Sequence, residues 1–534
     1  MRTGVVPVTS TARVRSGVGL RSERGPVLGA VMLTTGLIAL DSTVIATAVP
    51  SVVEDLGGFS EFPWLFSVYL LTQAVTVPVY GKLADVVGRK PVMIFGVVVF
   101  LGASVLCGLA WSMPALIVAR GLQGIGAGAV QPMGITIIGD LYSVEERSRV
   151  QGYVASVWGA ASVLGPAVGG LFSEYVSWRW IFFVNLPLGA VALFALHRRF
   201  SEQVERRPRR VDYAGTALLT LGCSLLILGL LEGGHAWAWD SAISAAVLAG
   251  ASVALVAFVL VERRAPEPVL PLWVFRRRVL LAGSLTSLGV GALLIGLSSY
   301  VPTYVQGVLG KGAVEAGLAL GALTLGWPLA AGLAGRVYLR IGFRDTALLG
   351  VSFVVAGSAL TVLLTADASI GAVAGAMFVT GIGMGLASSP TVVAVQSVVT
   401  WERRGVVTGT VMFCRAMGSA VGVAVFGAVA NATLADRLAH PGPAVAGQLP
   451  ADVDSAALAL SSDNGAVVTF VRAALYDAAH AVFVGLLVVA VLVALAIALM
   501  PRRTALLRFT EDDLTPEAAG PADGAAPGEG GRHD

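Results

Sequence analysis

The chain has 534 residues, of which 56% are hydrophobic and 13% charged, with mean hydropathy +0.81 and a formal net charge of +3. A soluble globular chain carries about 25% charged residues. The composition therefore excludes a water-soluble globule and points to a chain threaded repeatedly through a bilayer.

Residues 1–26 are basic and read as a cytoplasmic tail. The first apolar run, near 27–50, is longer than the roughly 7–15 residues of a signal h-region. It is expected to be a retained span, and it contains LTTGLIALDSTVIATAVP, with Asp41 close to its midpoint. About 20 apolar residues cross the hydrocarbon core as a helix. On that measure the following spans fall near 62–81, 91–110, 113–138, 150–172, 180–197, 213–231, 242–262, 280–305, 314–334, 346–365, 369–397, 405–430 and 478–500, fourteen in all. With both termini cytoplasmic, thirty of the 36 Lys and Arg residues fall on the inside and four on the outside, the asymmetry the positive-inside rule requires. The segment 431–477 is expected outside, as a short helical hairpin or a loose loop, and 501–534 as a disordered cytoplasmic tail.

Four stretches stand out in chain order. GKLADVVGRKP (81–91) puts Gly81, Leu83, Asp85, Gly88, Arg89 and Lys90 at a turn between spans. The glycines permit tight turning, and the charges can bond neighbouring helix ends. ARGLQGIGAGAVQP (119–132) sets Arg120 within a span, with Gln123 on the same face. An arginine inside a span costs about 2.5–3.5 kcal/mol on insertion scales; Arg120 either marks a functional site or snorkels to the nearby outer surface. SVLGPAVGG (162–170) places Gly165-Pro166, which can kink a helix, before Gly169 and Gly170, which allow close approach. SWRWIFFVNLP (177–187) suits the outer interface.

The first half is echoed by the second. GIGAGAVQP (124–132) matches GIGMGLASSP (381–390) at an offset of 257, which also pairs Glu145 with Glu402, Gly152 with Gly409 and Gly165 with Gly422. At an offset of 254, Gly81 and Gly88 fall on Gly335 and Gly342. Spans 1–6 thus repeat as 9–14, with spans 7 and 8 inserted between arginine-rich segments. The expected organisation is a six-helix bundle (27–197), an insertion with its flanks (198–279) and a second six-helix bundle (280–500). Two such bundles rocking about a central site make a transporter.

On these motifs the sequence resembles the major facilitator superfamily, and within it the fourteen-span drug:proton antiporter branch, over about residues 27–500. The resemblance implies an all-α integral membrane protein of the major facilitator fold, two six-helix bundles plus two extra spans. It identifies 81–91 as the cytoplasmic loop motif, with Val86 departing from the arginine usual there. It identifies Arg120 as the span-4 arginine and 162–170 as the antiporter motif of span 5. Asp41 lies in LDSTVIATAVP, which resembles the branch's span-1 motif, and Arg415, in FCRAMGSAVG, lies in a segment resembling its span 13.

Asp41 is the one acid found deep within a span. Burial disfavours the ionised form of a carboxyl, so Asp41 is expected to exchange a proton for a cationic cargo. Arg415 either meets an anionic cargo, approaches Asp41, or packs near the cytoplasmic end. Cavity walls need apolar and aromatic surface with a few polar groups, and Tyr69, Gln73, Gln131, Trp158, Tyr300, Tyr304, Trp327 and Gln396 are the candidates. Cys107, Cys223 and Cys414 lie far apart, so neither disulfide nor metal site is expected. No GxxxxGK[ST] loop and no nucleophile–base set occurs, so neither ATP nor another cofactor is expected, nor an enzyme, nor a nucleic-acid partner. The expected protein is a monomeric, proton-driven exporter of hydrophobic or cationic compounds in a bacterial cytoplasmic membrane. An exporter dedicated to one antibiotic, lipid or metabolite, and a non-transporting receptor, are the rivals.

Overall fold

The computed structural model describes residues 19–20, 22–57, 64–200, 202, 212–233, 236–266, 268–400, 403–440 and 464–502. The expected basic tail up to residue 18, most of the arginine-rich segment before span 7, the middle of the 431–477 segment, Glu402 and the tail from 503 fall outside them.

The first half comprises α1 (Gly25–Leu56), α2 (Trp64–Val87), α3 (Arg89–Gly108), α4 (Met113–Leu141), α5 (Val144–Tyr175), α6 (Trp180–Phe183) and α7 (Asn185–Arg199). The insertion is α8 (Tyr213–Glu232), α9 (Ala242–Glu262) and the short α10 (Trp273–Arg276). The second half runs through α11 (Arg278–Thr303), a π turn at Tyr304–Val308, α12 (Ala313–Ile341), α13 (Phe343–Val362), α14 (Ile370–Ser397), α15 (Arg404–Ala439) and α16 (Gly465–Ala498). Twelve stretches among the described residues are long and apolar enough to cross a membrane. The two expected spans not among them are α5 and α8. The apolar part of α8 is the shorter Ala214–Leu230, and α5 carries Glu145, Glu146, Arg147 and Arg149 ahead of the apolar stretch expected near 150–172.

Helix boundaries follow side chains that satisfy the first free amides. Ser112, Asp212, Ser241, Ser369 and Asn464 each accept a backbone N–H of the helix they open, and Ser143 with Glu146 forms a capping box before α5. The 431–477 segment is largely helical where described. α15 continues to Ala439 and α16 begins at Gly465, because alanine-rich sequence propagates a helix and Arg437 pairs with Asp477 at 2.7 Å.

The repeat is realised contact by contact. A Cβ on Gly126 would lie 2.5 Å from Phe100 N and 2.7 Å from Gly96 O; one on Gly383 would lie 2.5 Å from Val354 N and 2.7 Å from Gly350 O. These pairs are related by the sequence offsets. Glycine is required at both sites so that α3 can press on α4, and α13 on α14, as small residues allow in membranes. On the outside, Phe95, Leu106, Leu171, Val253, Leu325 and Leu492 are all exposed, a surface suited to lipid rather than water.

The two bundles meet along two seams, α2 with α15 and α5 with α12. A Cβ on Gly409 would sit 3.2 Å from Gly81 Cα, and one on Gly152 would sit 3.0 Å from Gly332 Cα. The offset that pairs Gly152 with Gly409 thus relates the two seams. The inserted α8 packs on α2 and α15, where Leu219 and Cys223 join Val75, Phe258 and Leu270 in one apolar cluster.

Candidate functional site: a buried ion pair and a charged latch

Asp41 stands halfway along α1 and is 3% exposed. One carboxylate oxygen accepts Arg120 Nη1 at 2.6 Å; the other accepts Gln123 Nε2 at 2.8 Å and Asn185 Nδ2 at 3.2 Å. Arg120 also donates to Gln123 Oε1 at 2.6 Å and to Leu65 O at 3.2 Å. Its guanidinium carbon lies 4.2 Å from the centre of the Tyr69 ring. Gln123 donates in turn to Ser104 Oγ at 2.9 Å. Side chains of α4 and α7 therefore bind the α1 carboxylate directly, and Tyr69 of α2 and Ser104 of α3 back Arg120 and Gln123. A buried charge is tolerated only when paired and hydrogen-bonded, and here both conditions hold.

This arrangement decides between open alternatives for Arg120 and Arg415 and corrects the expectation for Asp41. Arg120 does not snorkel: it is 1% exposed and bound to Asp41. Asp41 is not open to a cation, since its oxygens are occupied by Arg120, Gln123 and Asn185. Arg415 does not approach Asp41; its guanidinium carbon stands 5.5 Å from the Trp327 ring centre. Ser104 and Asn185 were not singled out by sequence, although each is a polar residue in an apolar run. Tyr69 belongs to this network, and its hydroxyl has no hydrogen-bond partner among the described residues.

The second assembly closes the end of the bundles that carries the α2–α3 turn. Gly88 joins those helices with φ 102° and ψ 159°, a region essentially reserved for glycine. Gly342 joins α12 to α13 with φ 89° and ψ 166°, as the repeat requires. Asp85 Oδ1 accepts Gly405 N at 3.0 Å and Oδ2 accepts Val406 N at 2.8 Å. An acid thus caps the positive end of α15 across the bundle interface. Arg89 donates to Asp85 at 2.9 Å and pairs with Asp140 at 3.2 Å; Arg404 pairs with Asp140 at 3.0 Å and donates to Gly139 O at 2.9 Å. Glu202 accepts the amides of Arg89 and Lys90, and Lys90 Nζ donates to His197 O at 3.0 Å. Leu83 packs on the first-half core. Asp140, Arg404 and Glu202 escaped the sequence reading because basic and acidic residues at helix ends look like ordinary solvated loop charges.

The remaining candidates divide. Gln73 donates to Gln131 at 3.4 Å. Trp158 packs on the first-half core, and Tyr300 and Trp327 on the second. Tyr304 is a core residue rather than a cavity residue: it is fully buried, donates to Thr365 O at 2.5 Å, and meets Phe483 edge to face. Gln396 is also misplaced by the cavity expectation. It reaches Ile135 O at 3.3 Å and Thr408 Oγ1 at 3.0 Å, in the closed interface. In the span-5 motif Gly165 faces α1, where Thr43 Oγ1 donates to Ala161 O at 3.0 Å. α5 runs unbroken past Pro166, and Gly169 is buried. A Cβ on Gly170 would meet nothing within 4 Å among the described residues, so the close approach expected of it is not made. The three cysteines are buried and free, and no metal-ligand cluster occurs among the described residues.

Comparison with known proteins gives the family and the fold. The Major Facilitator Superfamily profile matches residues 31–423. The chain is 35% identical to the multidrug transporter protein MdtP of Bacillus subtilis (strain 168) over 445 residues, 82% of each protein. It is 33% identical to multidrug resistance protein 3 of the same organism over 417 residues, 78% of this chain and 81% of that one. The crystal structure of the human organic anion transporter MFSD10 (TETRAN) covers 89% of this chain and 99% of its own at a TM-score of 0.60, with 16% identity, a likeness of fold alone.

Proposed function

The chain belongs to the Major Facilitator Superfamily, and from that premise we propose that this multi-pass transporter is a proton-coupled exporter, exchanging protons for hydrophobic compounds by alternating access. The observation that carries the reading is the Asp41–Arg120 pair, a carboxylate buried halfway along α1 with a guanidinium 2.6 Å away. Intramembrane acids generally mark proton relays or cargo paths. A proton on Asp41 cancels the charge that holds Arg120, so proton and guanidinium compete for one carboxylate. Loss of that bond frees Arg120 and the Tyr69 beneath it to shift. Moving one charge across the membrane potential supplies about 2.3 kcal/mol per 100 mV.

In this reading α5 and α8 complete fourteen spans, and both termini are cytoplasmic, in the plasma membrane of a bacterium. The latch around Asp85 then seals the cytoplasmic end, so the conformation described here faces outward. The gradient alone drives the cycle, without a cofactor, in a single protomer. The names of the two Bacillus relatives support a broad rather than a dedicated cargo.

The test is proton movement in proteoliposomes on addition of hydrophobic toxins. Wild-type protein is expected to release or take up protons with each transported compound, and Asp41→Asn to abolish this while still reaching the membrane. Full coupling by Asp41→Asn would defeat the proposal.

A further inference from the structure

Resting on the exporter reading, one feature of the second bundle identifies the chemistry of the cargo. Arg415 lies eleven residues beyond Arg404 on α15, about 16 Å along the helix from the latch at 1.5 Å per residue. That is mid-bilayer depth, where charge is expensive and normally paired. No carboxylate among the described residues meets it, and its Nε has no hydrogen-bond partner. The side chain is only partly buried, with the Trp327 face 5.5 Å from its guanidinium carbon.

The backbone beneath it is fixed. A Cβ on Gly291 would lie 2.0 Å from Arg415 O, and Ser419 Oγ donates to Gly291 O at 3.1 Å. α11 therefore presses directly on this turn of α15 and fixes the backbone from which Arg415 projects. The repeat shows that the charge is specific to this half. The offsets of 257 and 254 place Trp158 where the first half matches Arg415, and Gln73 where it matches Trp327. The first half thus presents an aromatic ring and an amide at the related sites. Its one deep acid, Asp41, is already held by Arg120.

We propose that Arg415, backed by Trp327, binds the anionic group of an aromatic amphiphile, a carboxylate or sulfonate attached to a flat apolar body. A guanidinium matches such an oxyanion with paired, charge-assisted hydrogen bonds, and the ring supplies a stacking surface. A cationic cargo meets an unpaired positive charge here, and no acid among the described residues pairs with Arg415 to offset it.

The test compares two probes of one shape, naphthalene-2-sulfonate and 2-naphthyltrimethylammonium, by equilibrium dialysis against the full-length protein in phosphatidylcholine nanodiscs. Wild type is expected to bind the sulfonate at least about tenfold more tightly, the factor a charge-assisted hydrogen bond supplies. Arg415→Gln removes that preference, and Arg415→Lys retains part of it. Equal binding of the two probes by wild type, or undiminished sulfonate binding by Arg415→Gln, overturns the proposal. If Arg415→Gln fails to fold, the wild-type probe ratio and Arg415→Lys decide it. Proton-driven accumulation of the sulfonate in inside-out vesicles is scored separately. Its absence, with the binding preference intact, overturns the exporter reading and leaves the anion site standing.

Discussion

Asp85 of α2 holds the first amides of α15 across the bundle interface, with Oδ2 2.8 Å from Val406 N. The same carboxylate is held from its own side by Arg89 at 2.9 Å. Hydrogen bonds to a charged group contribute about 1.5–3 kcal/mol, and each 1.4 kcal/mol is about tenfold in an equilibrium. Asp85→Asn is therefore expected to move the closed–open balance at this end by one to two decades toward open. Paired spin labels on the ends of α2 and α15 measure it, and an unchanged distance distribution contradicts it.

The Asp41–Arg120 pair gives a stability prediction with a definite sign. Removing one partner of a buried pair costs about 3–5 kcal/mol, because the other charge is stranded. Arg120→Gln should lower the melting temperature of the purified protein more than the double variant Asp41→Asn with Arg120→Gln does. Additive losses in thermal melts would show that the two side chains do not act as a pair.

The glycine joints are testable by the smallest change. Any side chain at Gly88 or Gly342 meets a backbone region costing about 1–3 kcal/mol. Gly88→Ala and Gly342→Ala should each destabilise the protein in that range. Gly170→Ala, where a Cβ meets open space, should not. Equal melting temperatures for all three variants would refute the assignment.

At the opposite end, Asp55 lies in the last turn of α1, beyond its membrane-crossing stretch Gly25–Ile45. Arg179 donates to it at 2.5 Å and the Trp178 indole at 3.0 Å. These two bonds, the arginine's first, hold the Asp55 carboxyl below the usual carboxylate range. A depressed value means that the contribution is complete above the unfolded pKa of about 3.9 and is lost as pH falls through the folded one. Wild type and Asp55→Asn should therefore differ in melting temperature at neutral pH and converge in acid below about pH 4. The gap should be small, because Asp55 is exposed and Arg179 only half-buried, so solvent screens the pair.

Much of this architecture is legible from residues alone, for identifiable reasons. Helices sealed in lipid announce themselves by length, and the repeat by glycine spacing that neighbouring backbones enforce twice. Asp41 is conspicuous because few acids are tolerated at such depth. What could not be read is facing. A helix apolar all round gives no periodicity to show which side meets a partner, so Tyr304 and Gln396 passed as cavity residues and Arg120 could not be matched to Asp41. α15 reaches Ala439 and α16 starts at Gly465, past the expected spans 405–430 and 478–500, because alanine-rich sequence reads equally well as helix or as an irregular external segment.

The halves are built alike but fastened unlike. The offset that carries Gly81 to Gly335 carries Asp85 to Leu339, which is 53% exposed. Parting α2 from α15 uncovers an acid and helix-end amides that water hydrates at once. Parting α5 from α12 frees one neutral bond, from the Tyr338 hydroxyl to Val144 O, and at Gly152 and Gly332 uncovers backbone and hydrocarbon that water rewards far less. Wetting should therefore advance along one flank before the other, and the vestibule should fill lopsidedly, like a gate swinging from a single post.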